Sequence, residues 1–435
     1  MAFGGGTWIA QNKVLPGSYI NFVSAAAASA TLSDRGVVGM GLELNWGADN
    51  EIIIITNADF QKNSKTIFGY SYDADELKGL RDLFLNTTTL YAYRLNSGGA
   101  KATNTYATAL CSGTRGNDLK IVIQVNVDDE NLFDVSTLLD NVVVDTQTVS
   151  GASGLVSNDY VSFKATATLA VNAGLSLSGG TNATVTGESH QKFLDNIERC
   201  SVNAIGYVGT DNTIKALYAA FTKRMRDEAG KKFQCVVYNY AADHEGVVNL
   251  KNNATDSGVN AASLVYWVTG VIAGTAVNRS ASNKVYNGEF TPNLNYTQAQ
   301  LEASITAGEF TLHQVDTDAR VLTDINSLVT VSDEKGDIFK SNQTIRVIDQ
   351  IGNDIAVLFN TKYLGTVPND NAGRTSLWLD IVKHHEALEA IRAIEDFDAA
   401  DVTVERGDTK KSVLVTDAVT VVNAMEQLYM TCVIS

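Results

Sequence analysis

The sequence predicts an α/β and α+β multidomain protein: an α/β core with mainly parallel strands, a β-rich inserted domain, a C-terminal helix-plus-β domain, and extended N- and C-terminal arms. Three observations carry this. Helical and strand periodicities alternate through residues 187–330, the pattern of an α/β layer. Residues 100–183 are dominated by Thr, Ser, Val, Asn and Gly, which favour strands. The chain's 435 residues suffice for several domains at roughly 100–200 residues each.

Taken in order, residues 1–24 are Gly-rich and then extended (VLPGSYINFVS), an arm ending in a strand. EIIIIT, residues 51–56, reads as a short buried strand. Asp75 starts a helix with Leu77, Leu80, Leu83 and Phe84 on one face, and the strand LYAYRLN (90–96) follows. Within 100–183, LKIVIQVN, VVVDTQTV and YVSFKA are strands, with turns at GTRGND and SGGTN. A helix over about 189–200 precedes the strand VNAIGYV. Asp211 caps the next helix, whose apolar face is Ile214, Leu217, Tyr218, Phe221 and Met225 and which ends at Gly230. The strand FQCVVYNY comes next, and Ala261–Val277, with Tyr266, Thr269, Gly270 and Gly274, reads as a buried helix, since it falls short of the ~20 apolar residues of a membrane span. Thr297 and Gln300 form a capping box before Leu301 and Ile305; Gly308 stops that helix and FTLHQVD begins a strand. Residues 343–366 and 371–396 carry two helical patterns around VPND. DVTVERG and KSVLVTD make a hairpin around GDTK, and LYMTCVIS closes the chain as an extended strand. The three prolines, Pro16, Pro292 and Pro368, fall at segment boundaries.

Composition excludes several classes. Asp and Glu number 49 against 33 Lys and Arg, a net charge of −16, which argues against nucleic acid as the main partner because phosphate binding needs a positive footprint. The start, MAFGGGTWIAQNK, lacks a basic region followed by an apolar core, so no secretory signal is expected and the protein is placed in the cytoplasm until release. Cys111, Cys200, Cys235 and Cys432 are too far apart in sequence for a metal knuckle or redox pair and read as isolated thiols.

No catalytic, cofactor-binding or metal-binding set is expected, and the chain is not expected to be an enzyme. Of the histidines His190, His244, His313, His384 and His385, the adjacent pair stands out. Neighbours on a helix point about 100° apart, so these two rings are not expected to converge. His384 falls on the stripe Leu377, Ile381, Leu388 and Ile391; His385 shares the opposite side with Lys383, Glu386, Glu389 and Arg392. HExxH is absent. The loop SGTRGNDLK (112–120) lacks the Gly-Lys-Ser/Thr of a phosphate cradle and precedes a strand. No GxSxG elbow occurs. Asp128, Asp129 and Glu130 read as a solvated turn. RMRDEAGKKFQ (224–234) fits either local ion pairs on a solvated face or an interface that breaks and re-forms. A tube, baseplate or surface-layer component and an acidic α/β hydrolase are the competing readings.

The strings GGTWIAQNKVLPGSYINFVS, YAYRLNSGGAKA, YATALCSGTRGNDLKIVI, KRMRDEAGKKFQCVVYN, LVYWVTGVIAGTAVNRSASNKVYNGEF, VLTDINSLVT, NQTIRVIDQIGNDIAVLFNTKYLGTVPNDNAGRTSLW and AMEQLYMTCVI occur in order along nearly the whole chain. Together they resemble contractile tail sheath proteins of Gram-positive myoviruses, defective prophages and R-type bacteriocins of the diffocin kind. The resemblance implies a subunit that polymerises as stacked hexameric rings around an inner tube and contracts to drive that tube through a target envelope. Its implied partners are other copies of itself, the tail tube protein, and baseplate and sheath-terminator proteins, with no nucleic acid, no direct membrane insertion and no cofactor. After assembly in the cytoplasm it becomes part of a released virion or bacteriocin particle. The implied layout is an N-terminal arm (1–24), a sheath core (25–99 and 184–330) interrupted by a β-rich outer domain (100–183), a C-terminal inner domain (331–427) and an arm strand (428–435). Arm contacts between subunits are expected at Tyr19, Ile20, Asn21, Phe22, Tyr429, Met430, Thr431, Cys432 and Val433. Lys383 and Arg392, on a helix spanning Ser376 to Phe397, are the candidates for facing the tube.

Overall fold

The computed structural model describes residues 32–434. The N-terminal arm, with Tyr19, Ile20, Asn21 and Phe22, lies outside the described residues. The described chain forms two compact units, Asp34–Gln350 together with the residues from Val422 onward, and Ile351–Val421.

The larger unit opens with β1 (Val37–Leu42), β2 (Ile52–Thr56), α1 (Asn57–Phe68), α2 (Lys78–Phe84) and β3 (Thr89–Arg94). Thr56 and Asp59 form a capping box at the start of α1. Asp75 opens a single 3-10 turn that leads into α2, and Leu77, Leu80, Leu83 and Phe84 are all buried, as their spacing predicts. The β-rich stretch holds β4 (Ala107–Ala109), β5 (Leu119–Val125), β6 (Phe133–Leu139), β7 (Val142–Val149), β8 (Val161–Phe163) and β9 (Asn172–Ser176). Then come α3 (Gly187–Ile197), β10 (Ala204–Tyr207), α4 (Asn212–Asp227), β11 (Gln234–Tyr238), β12 (Val247–Leu250), α5 (Val265–Gly274), α6 (Gln298–Thr306), β13 (Glu309–Phe310), β14 (Leu312–Val315) and β15 (Asp318–Val321). Asp211 caps α4 by accepting from Thr213 and Ile214, and the Thr297–Gln300 capping box starts α6.

The core is a seven-stranded sheet in the order β13-β12-β11-β10-β1-β3-β2. All neighbours are parallel except β2 and β3, as in Met40 opposite Ala92 and Gly206. The strands alternate between two covered faces, which is why their sequences are apolar throughout. Val38, Met40, Ala204, Val236 and Val248 face α2 and α5; Tyr93, Ile205, Cys235, Val237 and Val247 face α3 and α4. Burying each large aliphatic chain is worth about 1.5–3 kcal/mol. Residues 51–56 depart from the expected buried strand. β2 is the edge of the sheet, only Ile55 is fully covered, and Ile54 is 61 % exposed. The buried helix expected at Ala261–Val277 is α5; Gly270 and Gly274 let it press on the backbone after α2, where a Cβ on Gly274 would stand 1.6 Å from the Asn86 carbonyl oxygen.

The β-rich segment makes a four-stranded sheet, β7-β6-β5-β9, and a two-stranded one, β4-β8. Leu119, Ile121 and Ile123 alternate inward from β5 onto Val135 and Leu139, while β7 is largely exposed. Two chain segments connect this sheet to the core, and glycine is required where they touch. Gly113 has φ +120°, and a Cβ there would lie 2.1 Å from the Asn45 carbonyl oxygen.

α7 (Asn342–Leu358) runs from the larger unit into the smaller. Residues 331–350 group with the larger unit, where Arg226 pairs in two-pronged fashion with Asp349 at 2.7 Å and Arg346 pairs with Asp324, all four buried. In the smaller unit, α7 ends in a π turn at Phe359–Tyr363, followed by α8 (Asn371–Ala390), β16 (Ile394–Glu395), β17 (Thr403–Arg406), β18 (Val413–Thr416) and β19 (Thr420–Val421). β17 and β18 are the expected hairpin, and β16 pairs with β19. Leu377, Ile381 and Leu388 of α8 pack on Leu358, Tyr363 and Val402. α8 stops at Ala390, short of the expected Phe397, because Arg392 turns to φ +60° and the chain enters β16; Ile391 therefore leaves the stripe and is 36 % exposed.

Gly113→Ala tests the junction. It combines a left-handed backbone with an overlap against main chain, so a loss of at least about 1–3 kcal/mol is expected in urea unfolding. Unchanged stability would show that the two segments are free to separate.

Candidate functional site

Several polar clusters that the sequence singles out are engaged in hydrogen bonds and ion pairs within the fold. Arg115, in the loop that superficially resembles a phosphate cradle, is buried against the Tyr70 ring and engages Asp118, Asp140 and the Gly69 carbonyl, so its guanidinium is committed within the fold. In the 224–234 segment, Arg224 makes the expected surface pair with Glu198, but Arg226 is buried on Asp349. A cleft beside His313 is lined by Leu294, Asn295, Tyr296, Leu301, His313 and Gln314, with no carboxylate, cysteine or serine in its lining.

Among the described residues, one group of three side chains could hold a metal ion: Asp227, His244 and Glu245. Its hydrogen bonds oppose that use. The Gly246 N–H donates to His244 Nδ1 at 2.9 Å, so the ring proton sits on Nε2 and points to Asp227 Oδ2 at 3.2 Å. A metal at Nε2 would move that proton to Nδ1, directly against the Gly246 N–H. Burial lowers the pKa of His244, which agrees with a neutral ring. Glu245 is held by Lys335 at 2.8 Å.

His384 and His385 correct the expectation that their rings diverge. Their Nδ1 atoms are 3.4 Å apart, and Nε2 of each reaches a different carboxylate, Asp354 at 3.0 Å and Asp417 at 2.7 Å. The Cβ atoms do diverge on the helix, but the two aspartates set the ring rotations and swing the near edges together. His385 is 0 % exposed and therefore does not belong to the open side of α8. The pair ties α7, α8 and the segment after β18 into one unit.

What remains exposed is the C-terminal tail. From Gln427 to Ile434 it has no regular secondary structure, so the strand expected over 428–435 is absent from the single chain. The reason is that none of the described strands pairs with it. Leu428, Tyr429, Met430, Val433 and Ile434 are 79–92 % exposed, and Thr431 and Cys432 are exposed beside them. Large apolar side chains in a row without cover mark an interaction site. The tube-facing candidates divide differently from expectation. Lys383 is exposed on α8, whereas Arg392 is exposed but lies beyond the helix end, in the turn where its N–H meets the Glu389 carbonyl at 2.7 Å.

Comparison with known proteins follows this architecture along the chain. The tail sheath protein Gp18 domain III N-terminal region matches residues 35–95, the phage tail sheath protein beta-sandwich domain 97–182, the central domain 183–327 and the C-terminal domain 334–435. The phage-like element PBSX protein XkdK of Bacillus subtilis is 32 % identical over 461 residues, covering 98 % of each chain. The chain belongs to the contractile phage tail sheath family. The crystal structure of a sheath tail protein from Desulfitobacterium hafniense is 37 % identical, with a TM-score of 0.82 over 95 % of this chain and 99 % of that one. The helical sheath of the anti-feeding prophage in its contracted state shares the fold at 13 % identity, with a TM-score of 0.56 over 97 % of this chain and 99 % of that one. This tail sheath protein is thus a structural subunit whose family relatives are structural sheath proteins. No helix among its described residues is long and apolar enough to cross a membrane.

His190 gives the sheath protein a measurable pH dependence. It is buried between the Tyr207 and Tyr218 rings, with Nδ1 3.1 Å from the Tyr218 hydroxyl, and burial lowers its pKa to about 4, Asp211 opposing. The unfolded chain takes up this proton near pH 6.5 and the folded chain does not, so stability falls as the pH drops from about 6.5 to about 4. In urea unfolding over that window, His190→Gln should show a slope shallower by about 1.4 kcal/mol per pH unit. Equal slopes would mean that His190 is already protonated in the fold.

Proposed function

We propose that this sheath protein polymerises as stacked hexameric rings around an inner tube, joined to a baseplate and a terminator, and that contraction drives the tube through a target envelope. The observation that carries the reading is the tail, which presents Leu428, Tyr429, Met430, Val433 and Ile434 paired with no strand among the described residues. A segment of this kind gains main-chain hydrogen bonds and apolar cover by adding to a neighbour's sheet. Between identical copies such a contact is head-to-tail and repeats, which builds a ring or a helix. Kinship with a protein solved as a contracted helical sheath supports the assembly. The N-terminal arm, with Tyr19, Ile20, Asn21 and Phe22, serves as the second link between copies, residues 100–183 form the outer layer, and 331–427 the inner one.

Two experiments test this. Deleting residues 427–435 should leave a folded monomer with unchanged thermal unfolding and abolish long cylinders in negative-stain micrographs; cylinders of normal length would refute the link. For the tube, Lys383 and Arg392 are proposed to make exposed pairs worth about 0–1 kcal/mol each, weak singly and summed over many subunits. Reversing both to Glu should impair assembly on the tube while sparing tube-free polymers. Normal extended particles from that variant would show that the tube is held elsewhere.

A further inference from the structure

The tail does not leave the larger unit at an arbitrary point. Over Val422–Glu426 it is held at three successive stations. Gln343, buried on the first turn of α7, offers its side-chain amide as a strand would offer a peptide: Nε2 donates to the Val422 carbonyl and Oε1 accepts from the Ala424 N–H, both at 3.0 Å. Asn423 donates to the Thr344 hydroxyl at 3.2 Å. The Glu426 carboxylate accepts from two hydroxyls on separate loops, Ser282 on one oxygen and Thr323 at 2.7 Å on the other. These loops are themselves fixed, because the N–H of Asp324, next to Thr323, donates to the Ser282 hydroxyl oxygen at 2.9 Å and the Asp324 carboxylate pairs with buried Arg346. One residue past Glu426 every hold ends, and the exposed apolar run begins at Leu428.

We infer that Gln343 and Glu426 form the fixed root of the intersubunit arm, setting the point and direction from which residues 427–434 reach a second copy of this chain. The inference rests on the arm reading above and adds to it a device within the subunit. Residues 427–434 span at most about 29 Å when fully extended, so the position of their root decides which neighbouring edge lies within range. A released root would lengthen and disorient the tether, lowering the effective concentration of the arm at its partner without changing a single contact in the interface. The side-chain amide of Gln343 is suited to this duty because it satisfies the main chain of 422–424 without extending a sheet beyond it.

The test uses the full chain in two states. In the monomer, hydrogen exchange should show the Ala424 amide protected and residues 428–434 exchanging freely. Gln343→Ala with Glu426→Ala should speed exchange at 424 about tenfold or more while β10, β11 and β12 keep their protection, and Ser282→Ala with Thr323→Val should loosen the Glu426 station from the other side. In assembly, both variants should raise the critical concentration for polymerisation about tenfold or broaden the helical twist, and Glu426→Gln, which keeps an acceptor, should restore much of it. Exchange at 424 as fast as at 428–434 in the unmodified monomer would overturn the root. So would loosened variants that polymerise like the parent chain. Normal polymers after deletion of 427–435 would remove the arm reading and the root with it, whereas failure of the root alone leaves that deletion still defective.

Discussion

The buried guanidinium of Arg94 holds the larger unit to a single shape. It sits at the end of β3, fully covered, and each of its nitrogens is used. Nε reaches the Leu44 carbonyl and Asn96; Nη1 reaches the Gly47 carbonyl, Asp49 and both oxygens of Ser112; Nη2 reaches Asn182. Those partners are the loop after β1, the outgoing connection to the β-rich segment and the returning one. Burial pushes the Arg94 pKa down and Asp49 opposes it, but a guanidinium keeps its charge in a protein. Such a group must have all its partners or none. Removing one side of a buried pair costs about 3–5 kcal/mol, so the two connections and the sheet form together. Asn182 extends the knot to Asn45 at 2.7 Å, and Gly113 lets the backbones meet where a side chain would separate them.

Other buried arginines also bridge elements, though with fewer bonds: Arg226 Nε and Arg346 Nε and Nη1 have no hydrogen-bond partner among the described residues. Arg226 locks the end of α4 to Asp349 on α7, Arg346 locks α7 to Asp324, and Arg115 fixes the start of β5 to Asp140 at the turn after β6. Charged groups that a solvated reading would leave on the surface are here placed between elements. The consequence is a larger unit braced internally by buried ion pairs. Stiffness lies in buried arginines paired with carboxylates on other elements and in a sheet covered on both faces. Among the described residues, the tail past Glu426 is left exposed and outside this bracing.

Much of the secondary structure was legible because it depends on local rules. Asp211 and the Thr297–Gln300 box announce helices since the first-turn N–H groups need acceptors within three residues. The apolar stripe of α4 and the unbroken apolar strands of the core follow from their periods. Two local readings went astray where neighbours overrule sequence. The isoleucines of β2 look buried but lie at an edge, and α8 ends early because Arg392 adopts a left-handed turn. The closing run LYMTCVIS has the composition of a strand, yet a strand exists only against a partner, and none of the described strands pairs with residues 428–434.

By itself, then, the sequence determined the class of protein, many of its helices and strands, the β-rich insertion and the family, because each is written in short-range periodicity or in strings that persist along the chain; β1, α1 and β12 were not among the elements it announced. It also determined that chemistry was not to be looked for in the loop at 112–120, since the residues a phosphate cradle needs are missing. Only the tertiary structure decided which charges are buried, that the His384 and His385 rings meet between Asp354 and Asp417, and that Gln343 and Glu426 seize the departing tail. The bonds of the two histidines to their aspartates, and those of Gln343 and Glu426, join residues from 30 to 144 positions apart. No spacing rule reaches so far, because the chain brings such groups together only after its cores have formed.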